Sequence, residues 1–495
     1  MNNLKNALIY EFDASADFNT SPLNTGVILD DDINDYFVEI EADESTLSSN
    51  FISMLPNSDA TSNPMRRYEM DGEGTSASAL IDDTYSFVLA GYHRQNGKGV
   101  ARIHITGSGS ASERSFDVFS NDGISTNERV RKATFYWKDV VSKLQSLLFG
   151  AETSNTEGTI IRIYKIPKLS SLNGVELVDG GLYYFDGSNQ THIFTGLNGD
   201  VDEEYVLRCF SEFSAGDTEY IVRLQGDSVS NRIKQRLSNN GGSLLPANST
   251  VQYDASLKDG SVRIYAKSGK KRLSVQSSSS QFATQQDEFG IWNPDTITNV
   301  TSIEVSTTQG QGLVALFKRR KGYSIDPVPM RRVLSYSVNS GFANGITIDD
   351  IEGDKIPGAI KIEWNGVLSG VAGLLCRLIG DGSSIYPSAF IRAISGSVSA
   401  NSSTVSQLFI CQDGATVNHG VIYIYPKSGQ NRPTINKSIS EENRIELRAQ
   451  SFGDTISLID SITLFASNND SIEGEIIVSV PKQTQQSQPW TLTVN

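Results

Sequence analysis

A threefold internal repeat constrains this chain more than any other feature of its sequence. Three similar passages begin with Gly and alternate apolar with polar residues, at residues 99–107, 260–269 and 420–429. This alternation predicts half-buried strands, and the closing Gly of each passage predicts a turn. The copies lie roughly 150 to 170 residues apart, which is too long for a solenoid unit, so each copy must be a domain with its own core.

Further landmarks recur in the same order in each copy. A second Gly-led strand follows about 55 residues later, beginning at Gly158, Gly312 and Gly474. Just before those strands, residues 141–144 align with residues 300–303 and 459–462. The last two segments are rich in β-branched residues, so we predict a strand in all three copies. A helical insert over residues 130–149 of the first copy is the alternative.

These landmarks predict an all-β protein made of three tandem β-sandwich modules. The modules are predicted to span residues 1–168, 169–322 and 323–482, and a Gln-rich tail with one strand is predicted at residues 483–495. About eight short strands per copy favour a jelly-roll-like sandwich. An immunoglobulin-like sandwich is the nearest alternative, but such domains have only about 100 residues.

Composition excludes several classes of protein. The net charge is −15 and the pI is about 4.9, which opposes nucleic-acid binding because phosphate contacts need clustered Lys and Arg. Three scattered cysteines predict buried free thiols rather than disulfides or a zinc site. The sequence contains neither a signal-peptide pattern nor a long apolar run, so we expect folding in a reducing cytoplasm without membrane insertion.

Enzyme signatures are sparse. The four histidines have no metal-ligand spacing, and no nucleophile-elbow motif stands in a strand-to-helix context. The phosphate-loop-like run at residues 267–272 lacks the leading Gly, and its counterpart at residues 427–432 indicates a repeated turn. We therefore expect a protein that is not an enzyme, with no catalytic residues.

The acidic turn that precedes one strand in each copy is the one candidate metal site. Carboxylates at alternating positions of an extended chain point to one side and are suitable Ca²⁺ ligands, although Asp is also an ordinary turn residue. The candidate ligands are Asp30, Asp32, Asp200, Asp202, Asp350 and Asp354. A solvated turn is the alternative, and no other cofactor is expected.

Two features are candidates for partner binding. The basic run Lys318, Arg319, Arg320 and Lys321 closes the second copy and can dock on an acidic neighbour or module, or form a solvated linker. Trp490 lies in the tail, where it can anchor in a neighbouring subunit or pack on its own module. Tyrosines in predicted strands are expected in the core, but an exposed set can stack on sugar rings.

The second copy resembles a module common in tailed-phage genomes. Its residues 194–205 are similar to a turn of the type Leu-Asp-Gly-Asp-Thr-Asp-Gly-x-Tyr that leads into a strand in that family, and residues 260–269 and 309–318 resemble its middle and final strands. The first and third copies share the landmarks but depart in the acidic turn, where Pro357 stands before the strand of the third. The resemblance implies a jelly-roll-like module of the virion surface and carries over no catalytic residue.

The leading functional hypothesis is therefore a capsid-decorating or head-fibre protein on the virion surface, made in the host bacterial cytoplasm. Repeated sandwiches displayed in many copies add weak contacts through effective concentration. The expected partners are other virion proteins of the capsid, portal or tail and further copies of the chain. A tail-fibre or receptor-binding protein that contacts host surface glycans is the alternative.

Overall fold

A computed structural model shows a protein built almost entirely from antiparallel strands. It describes residues 7–14, 23–42, 50–59, 64–73, 76–93, 99–106, 114–121, 129–139, 141–151, 158–168, 174–211, 220–224, 232–240, 243–249, 254–255, 259–268, 272–280, 284–292, 298–338, 345–368, 373–379, 386–394, 397–411, 417–428, 432–440, 444–452, 457–467, 472–484 and 489–494. The predicted closing glycines of the three repeated passages and residues 485–488 of the tail lie outside these ranges.

Module 1 consists of one large and one small sheet. Its strands are β1 (Leu8–Asp13), β2 (Leu23–Asn24), β3 (Asn34–Ala42), β4 (Asn50–Pro56), β5 (Met65–Glu73), β6 (Ser76–Tyr85), β7 (Val88–His93), β8 (Gly99–Thr106), β9 (Arg114–Asn121), β10 (Arg129–Trp137), β11 (Leu147–Ala151) and β12 (Ile160–Pro167). The large sheet has eight strands in the order β1-β12-β3-β8-β9-β10-β5-β6, and the small one has four in the order β2-β11-β4-β7.

Module 2 repeats this arrangement with equivalent strands. They are β13 (Val175–Asp186), β14 (Gln190–Thr195), β15 (Glu204–Ser211), β16 (Tyr220–Leu224), β17 (Arg232–Asn240), β18 (Ser243–Ser249), β19 (Asp254–Ala255), β20 (Asp259–Tyr265), β21 (Arg272–Ser280), β22 (Thr284–Trp292), β23 (Ser302–Thr307) and β24 (Gln311–Arg319). The sheet orders are β13-β24-β15-β20-β21-β22-β17-β18 and β14-β23-β16-β19.

Module 3 adds one strand to each sheet. Its strands are β25 (Tyr323–Ser324), β26 (Met330–Val338), β27 (Ile346–Asp349), β28 (Ile360–Leu368), β29 (Leu374–Leu378), β30 (Tyr386–Ile394), β31 (Ser397–Val405), β32 (Leu408–Cys411), β33 (Val417–Ile424), β34 (Arg432–Ser440), β35 (Arg444–Phe452), β36 (Ile462–Ala466), β37 (Ile472–Pro481) and β38 (Thr491–Val494). The orders are β25-β26-β37-β28-β33-β34-β35-β30-β31 and β32-β29-β36-β27-β38.

Eight strands of each module follow jelly-roll order. In module 1 these are β1, β2, β3, β4, β7, β8, β11 and β12, which form two facing sheets in the order first-eighth-third-sixth and second-seventh-fourth-fifth. The sandwich-type fold expected from the sequence is confirmed. Two further hairpin strand pairs, β5 with β6 and β9 with β10, extend the large sheet beyond β8, and the sequence count of about eight strands missed them.

The core of each module lies between its two sheets. In module 1 it contains Val38 and Ile103 from the large sheet and Met54 and Phe149 from the small sheet. Equivalent clusters fill the other two sandwiches. In strands such as β3 and β8, apolar residues at every second position therefore point between the sheets, as their alternation predicts.

The sheet extensions hold the three modules together. β6, β18 and β31 are the last strands of the three large sheets and occupy equivalent positions, and each of them contacts the other two. β5 and β10 of module 1 also pack against β30 of module 3. The described parts of the modules thus surround one common axis in an approximately threefold arrangement.

Strand pairing corrects two details of the sequence alignment. The first core-facing residues of β3, β15 and β28 are Tyr36, Tyr205 and Ile360. Their partners on the neighbouring strand are Ile105, Ile264 and Ile424, which therefore occupy equivalent positions. Counting back four residues makes Ala101, rather than Gly99, the equivalent of Gly260 and Gly420. In the segment before the seventh sandwich strand, which is β11 in module 1, the sequence of module 1 must likewise be shifted by three residues relative to the other two modules.

The shift concerns residues 141–144, which we predicted to be a strand. They form a bend and an irregular segment, and the strand β11 begins only at Leu147. The backbone carbonyls of Gln145, Thr301 and Asp460 accept equivalent hydrogen bonds, so Leu144 rather than Val141 matches Val300 and Ile459. Val141 is 81% exposed, which removes the apolar contact that would hold a strand there. The alternative helix is absent from the described part of residues 130–149.

Two short helical turns lie wholly within the described part of the chain, α1 (Gly199–Asp202) and a 3-10 turn at Gly353–Lys355. Neither approaches the length or apolarity of a membrane-spanning helix. All three cysteines are buried free thiols, as predicted, and burial raises the pKa of Cys411 to about 12. Such thiols are unreactive because the thiolate is disfavoured.

Candidate functional site

One face of each large sheet points away from its own sandwich and toward the other modules, and we call it the inner face. It carries charged residues that are nevertheless buried. In module 1, Glu39 and Glu41 of β3, Arg102 of β8 and Arg162 of β12 alternate with core residues and point away from the sandwich. The sequence predicted half-buried strands, but the other modules cover this second face. Because buried charges need partners, these residues pair with one another across the junction of the modules.

Modules 1 and 3 share one network of buried charges. Arg102 donates to Asp326, at 2.7 Å, and lies within 3.4 Å of Glu39. Tyr425, the residue directly after β33, donates to Glu39 at 3.0 Å, and Tyr423 donates to Asp326 at 2.7 Å. The guanidinium of Arg102 also lies 3.8 Å from the centre of the Tyr423 ring. The carboxylates of each module are thus held by donors from the other.

Modules 2 and 3 share a second network. Arg263 of β20 contacts Glu204 of its own module at 2.5 Å and Glu363 of module 3 at 2.8 Å. Arg332 of β26 donates to Glu204 at 2.8 Å. Glu363 also lies 3.2 Å from Lys361. Each acidic group therefore faces two cations, which offsets part of the desolvation cost of burial.

Burial and pairing act in opposite directions on the pKa values of these carboxyl groups. Burial alone would raise the pKa of Glu363, but Arg263 and Lys361 outweigh it and hold this pKa well below its usual range. For Asp326, Arg102 and Lys361 likewise lower the pKa against burial. The pKa of Glu39 is raised because burial outweighs its cations.

Two histidines at the junction are kept neutral. Burial lowers the pKa of His419 to about 3, helped by the nearby charge of Arg263. Its Nε2 lies 3.1 Å from the Tyr265 hydroxyl of module 2. Burial also lowers the pKa of His104. These imidazoles act at neutral pH as uncharged donors or acceptors.

Equivalent positions of the three inner faces do not all hold the same residue. Three residues beyond Tyr36, Tyr205 and Ile360, which occupy matching places in their strands, stand Glu39, Arg208 and Glu363. The partners of the next strand show the same divergence. The residues that pair with the position after Tyr36, Tyr205 and Ile360 are His104, Arg263 and Tyr423, respectively. The modules share a fold but not the charges of their common junction.

The acidic turns brace their own modules. The Asp200 carboxylate accepts a backbone hydrogen bond from Ser268 at 2.7 Å, and Asp354 accepts the equivalent bond from Ser428 at 2.6 Å. Tyr205 donates to Asp202 at 2.7 Å. These contacts tie the acidic turn to the Lys-Ser-Gly turn at the same end of the sandwich.

The remaining predicted calcium ligands lie in modules 1 and 3. Asp350 accepts a hydrogen bond from Thr491 of the tail strand at 2.8 Å. Asp30 and Asp32 come together with Asp31, and their carboxylate oxygens lie within 4.8 Å of one another. The alternation pattern omitted Asp31, which is buried and binds Arg114 at 2.5 Å. The six predicted ligands thus form separate turns rather than one centre.

The basic run of module 2 divides between its own acidic turn and solvent. Arg319 is buried and pairs with Glu203 of that turn, and Lys318 lies 3.8 Å from Asp202. Both contacts lie within module 2, so the docking on an acidic neighbour or module stays a prediction. Arg320 and Lys321 are exposed, and Arg320 lies over the ring of Tyr323, 5.3 Å from its centre.

Trp490 packs against the core of module 3. The strand that follows it, β38, pairs with β27, as in Ile346 opposite Val494. The predicted tail strand is therefore an edge strand of the small sheet of module 3. This placement favours packing on its own module over the anchor in a neighbouring subunit.

A repeated pair of an arginine and an aromatic residue escaped the sequence analysis. Arg114 lies opposite Trp137 in the pairing of β9 with β10, and its guanidinium is 5.4 Å from that ring. Arg432 lies opposite Phe452 in the same way, at 5.6 Å. In module 2 the backbone register sets Arg272 opposite Trp292. The signal was present as an Arg followed about 20 residues later by an aromatic residue, but it lies in strands that the count omitted.

Comparison with known proteins identifies no family. No family model matches the chain, and no curated protein matches it. Among solved structures, the two C2 domains of extended-synaptotagmin 2 align with a TM-score of 0.13 and 7% identity, covering 59% of this chain and 94% of that one. OccK7 of Pseudomonas aeruginosa aligns with a TM-score of 0.10 and 10% identity, covering 85% and 99%. Likenesses this low carry no argument about fold or function.

Proposed function

We propose that this chain is a non-enzymatic structural protein of a tailed-phage virion, displayed on the capsid surface as a head decoration or head fibre. The resemblance of residues 194–205 and 260–269 to a tailed-phage module supports the phage assignment. Jelly rolls occur in viral capsid and lectin domains, which is an argument from fold analogy. Its partners are then capsid proteins, and its place is the outside of the particle.

The observation that carries this proposal is the approximately threefold packing of the modules. Their large sheets face the common axis, where Arg263 and Glu363 pair across modules. Their small sheets lie on the far side of each sandwich, so one chain presents three related outer surfaces. A capsid lattice offers repeated sites of matching symmetry, and three weak contacts on one rigid body reinforce one another.

The test is binding of purified protein to capsids that lack it. We expect sedimentation with empty capsids and no sedimentation with host cells, and electron microscopy of labelled protein should place it on the head. Binding to cells but not to capsids, or labelling of the tail, would contradict the proposal.

Receptor binding through host glycans is a second candidate, favoured by one exposed aromatic. Tyr184 on β13 is 46% exposed, and its hydroxyl accepts a hydrogen bond from Gln311 at 3.0 Å. Ile193, on the outer face of the small sheet, is 48% exposed. A tyrosine face of this kind stacks on sugar rings. If this candidate is correct, Tyr184→Ala abolishes binding to host cells, whereas Tyr323→Ala, a change in a half-buried tyrosine near the module boundary, preserves it.

A further inference from the structure

A partly open cavity of about 250 Å³ lies where the three modules meet. Its walls come from the inner faces of the large sheets: β3, β8, β9 and β10 of module 1, β20 of module 2, and β33, β34 and β35 of module 3. A cavity this large, lined by polar groups, holds several water molecules or a small ligand. It lies within the junction of the modules, and Arg102, Arg263 and Tyr423 of the buried charge networks form part of its wall.

The wall of the cavity is strongly cationic in an acidic protein. Arg102, Lys132, Arg263 and Lys437 line it, and Asp117, which pairs with Lys132 at 2.5 Å, is the one carboxylate among the described lining residues. Other carboxylates that balance these cations, such as Asp326 and Glu363, contribute no wall to the cavity. The space itself is therefore bordered mainly by positive charge, which favours an anion.

An unused polar atom also borders the cavity. Nε2 of His104 is buried and has no hydrogen-bond partner within the described part of the chain. Buried polar atoms are nearly always paired, so such an atom calls for a partner that arrives from outside the chain. A neutral imidazole can donate one N–H to an oxyanion.

The rest of the wall is apolar. Phe37 and Phe119 of module 1 face Val421, Ile439 and Leu447 of module 3 across the cavity. Pockets of this composition bury an apolar body and orient it with a few polar groups. Inorganic anions would leave this surface without a partner.

From the cavity, its cations and its apolar wall, we propose that the junction of the modules binds a small organic anion, with the oxyanion at Lys437, the neutral Nε2 of His104 as a further donor in the wall, and the apolar body against Phe119 and Leu447. Because all three modules contribute to the wall, the ligand would stabilise their association. This site is independent of the proposed role on the capsid.

The test uses the full-length chain and four probes in isothermal titration. Benzoate and phenyl phosphate carry both a ring and an oxyanion, benzamide is the neutral isostere of benzoate, and inorganic phosphate lacks the ring. We expect at least one of the two aromatic anions to bind, with benzamide and inorganic phosphate about tenfold weaker or worse, which corresponds to a difference of about 1.4 kcal/mol.

Two matched variants locate the site. Lys437→Met removes one positive charge from the cavity and should weaken aromatic-anion binding about tenfold. Lys318→Met removes one from the end of β24, outside the cavity, and should leave binding unchanged. Absence of binding by both aromatic anions, equal binding of benzamide, stronger binding of inorganic phosphate, or equal loss in the two variants would overturn the proposal. Because the probe comparison uses the unaltered chain, it decides the matter even if Lys437→Met fails to fold.

Discussion

Replacing Glu363 with Gln should destabilise the chain far more than the same change in a partly exposed ion pair. Glu363 is 3% exposed at its side chain and joins Arg263 of module 2, at 2.8 Å, to Lys361 of module 3. Gln keeps the volume but leaves these cations without the charge that compensates their burial. Breaking a buried pair from one side costs about 3–5 kcal/mol, and we expect the lower end because Arg263 retains Glu204.

The matched control is Glu304→Gln on the small sheet of module 2. Glu304 contacts Arg223 at the same distance, 2.8 Å, but the two side chains are 12% and 19% exposed. Because Glu304 is more accessible to solvent than Glu363 and contacts one cation rather than two, its replacement should cost less than that of Glu363. Urea unfolding followed by circular dichroism measures the two losses under identical conditions.

The pH dependence supplies a second check on the same variant. Since the pKa of Glu363 is lowered in the folded chain, its stabilisation is present above the pKa of an unfolded Glu, about 4.3, and is lost as the pH falls below that value. The difference between the parent and Glu363→Gln should therefore shrink below about pH 4. If Glu363→Gln costs no more than Glu304→Gln at pH 7, burial at the junction does not have the energetic importance argued above.

Three further changes test other parts of the structure. Gly72→Ala should cost about 1–3 kcal/mol in urea unfolding, because the new Cβ would lie 2.6 Å from Ile391 of module 3; an unchanged midpoint would mean that the modules do not pack this closely. His419→Asn should reduce the loss of stability on acidification. Folding lowers the pKa of His419 to about 3, so the parent protein loses up to about 1.4 kcal/mol of unfolding free energy per pH unit below about 6.5. Equal dependence of the unfolding free energy on pH in the two proteins would count against this. Arg114→Met should cost about 3–5 kcal/mol by leaving buried Asp31 without its cation, and a loss below about 1 kcal/mol would show that the carboxylate finds another partner.

Local sequence patterns were sufficient to predict the sandwich of each module. Alternation in strands such as β8 and β20, together with the period of the repeat, predicted three all-β modules. This was possible because the residues that place a strand's apolar side chains on one face are neighbours in the sequence. Some hairpin strands lack this alternation over part of their length: the second half of β21, from Ser277 to Ser280, contains no apolar residue. Such strands are defined by pairing within a sheet rather than by a core of their own.

The junction was beyond the reach of sequence reasoning for a different reason. Glu39 and Tyr425 are separated by 386 residues and hydrogen bond only because two modules pack together. In one sequence, a charged residue that alternates with apolar ones has the pattern of a solvent-facing position. The acidic turns show the converse case: the sequence located them, but it could not show that Asp200 and Asp354 already accept backbone hydrogen bonds.

The different residues at equivalent places of the inner faces make the three modules non-interchangeable. In a homotrimer of module 3, Tyr423 would take the place of its equivalent Arg263 beside Glu363, and the buried carboxylate would lose that cation. One polypeptide escapes this restriction, since each copy can change separately into the complement of its neighbours. Exchanging module 2 for a duplicate of module 3 should thus yield a protein whose sandwiches fold but whose assembly fails, and the order of the copies along the gene becomes as essential as their sequence.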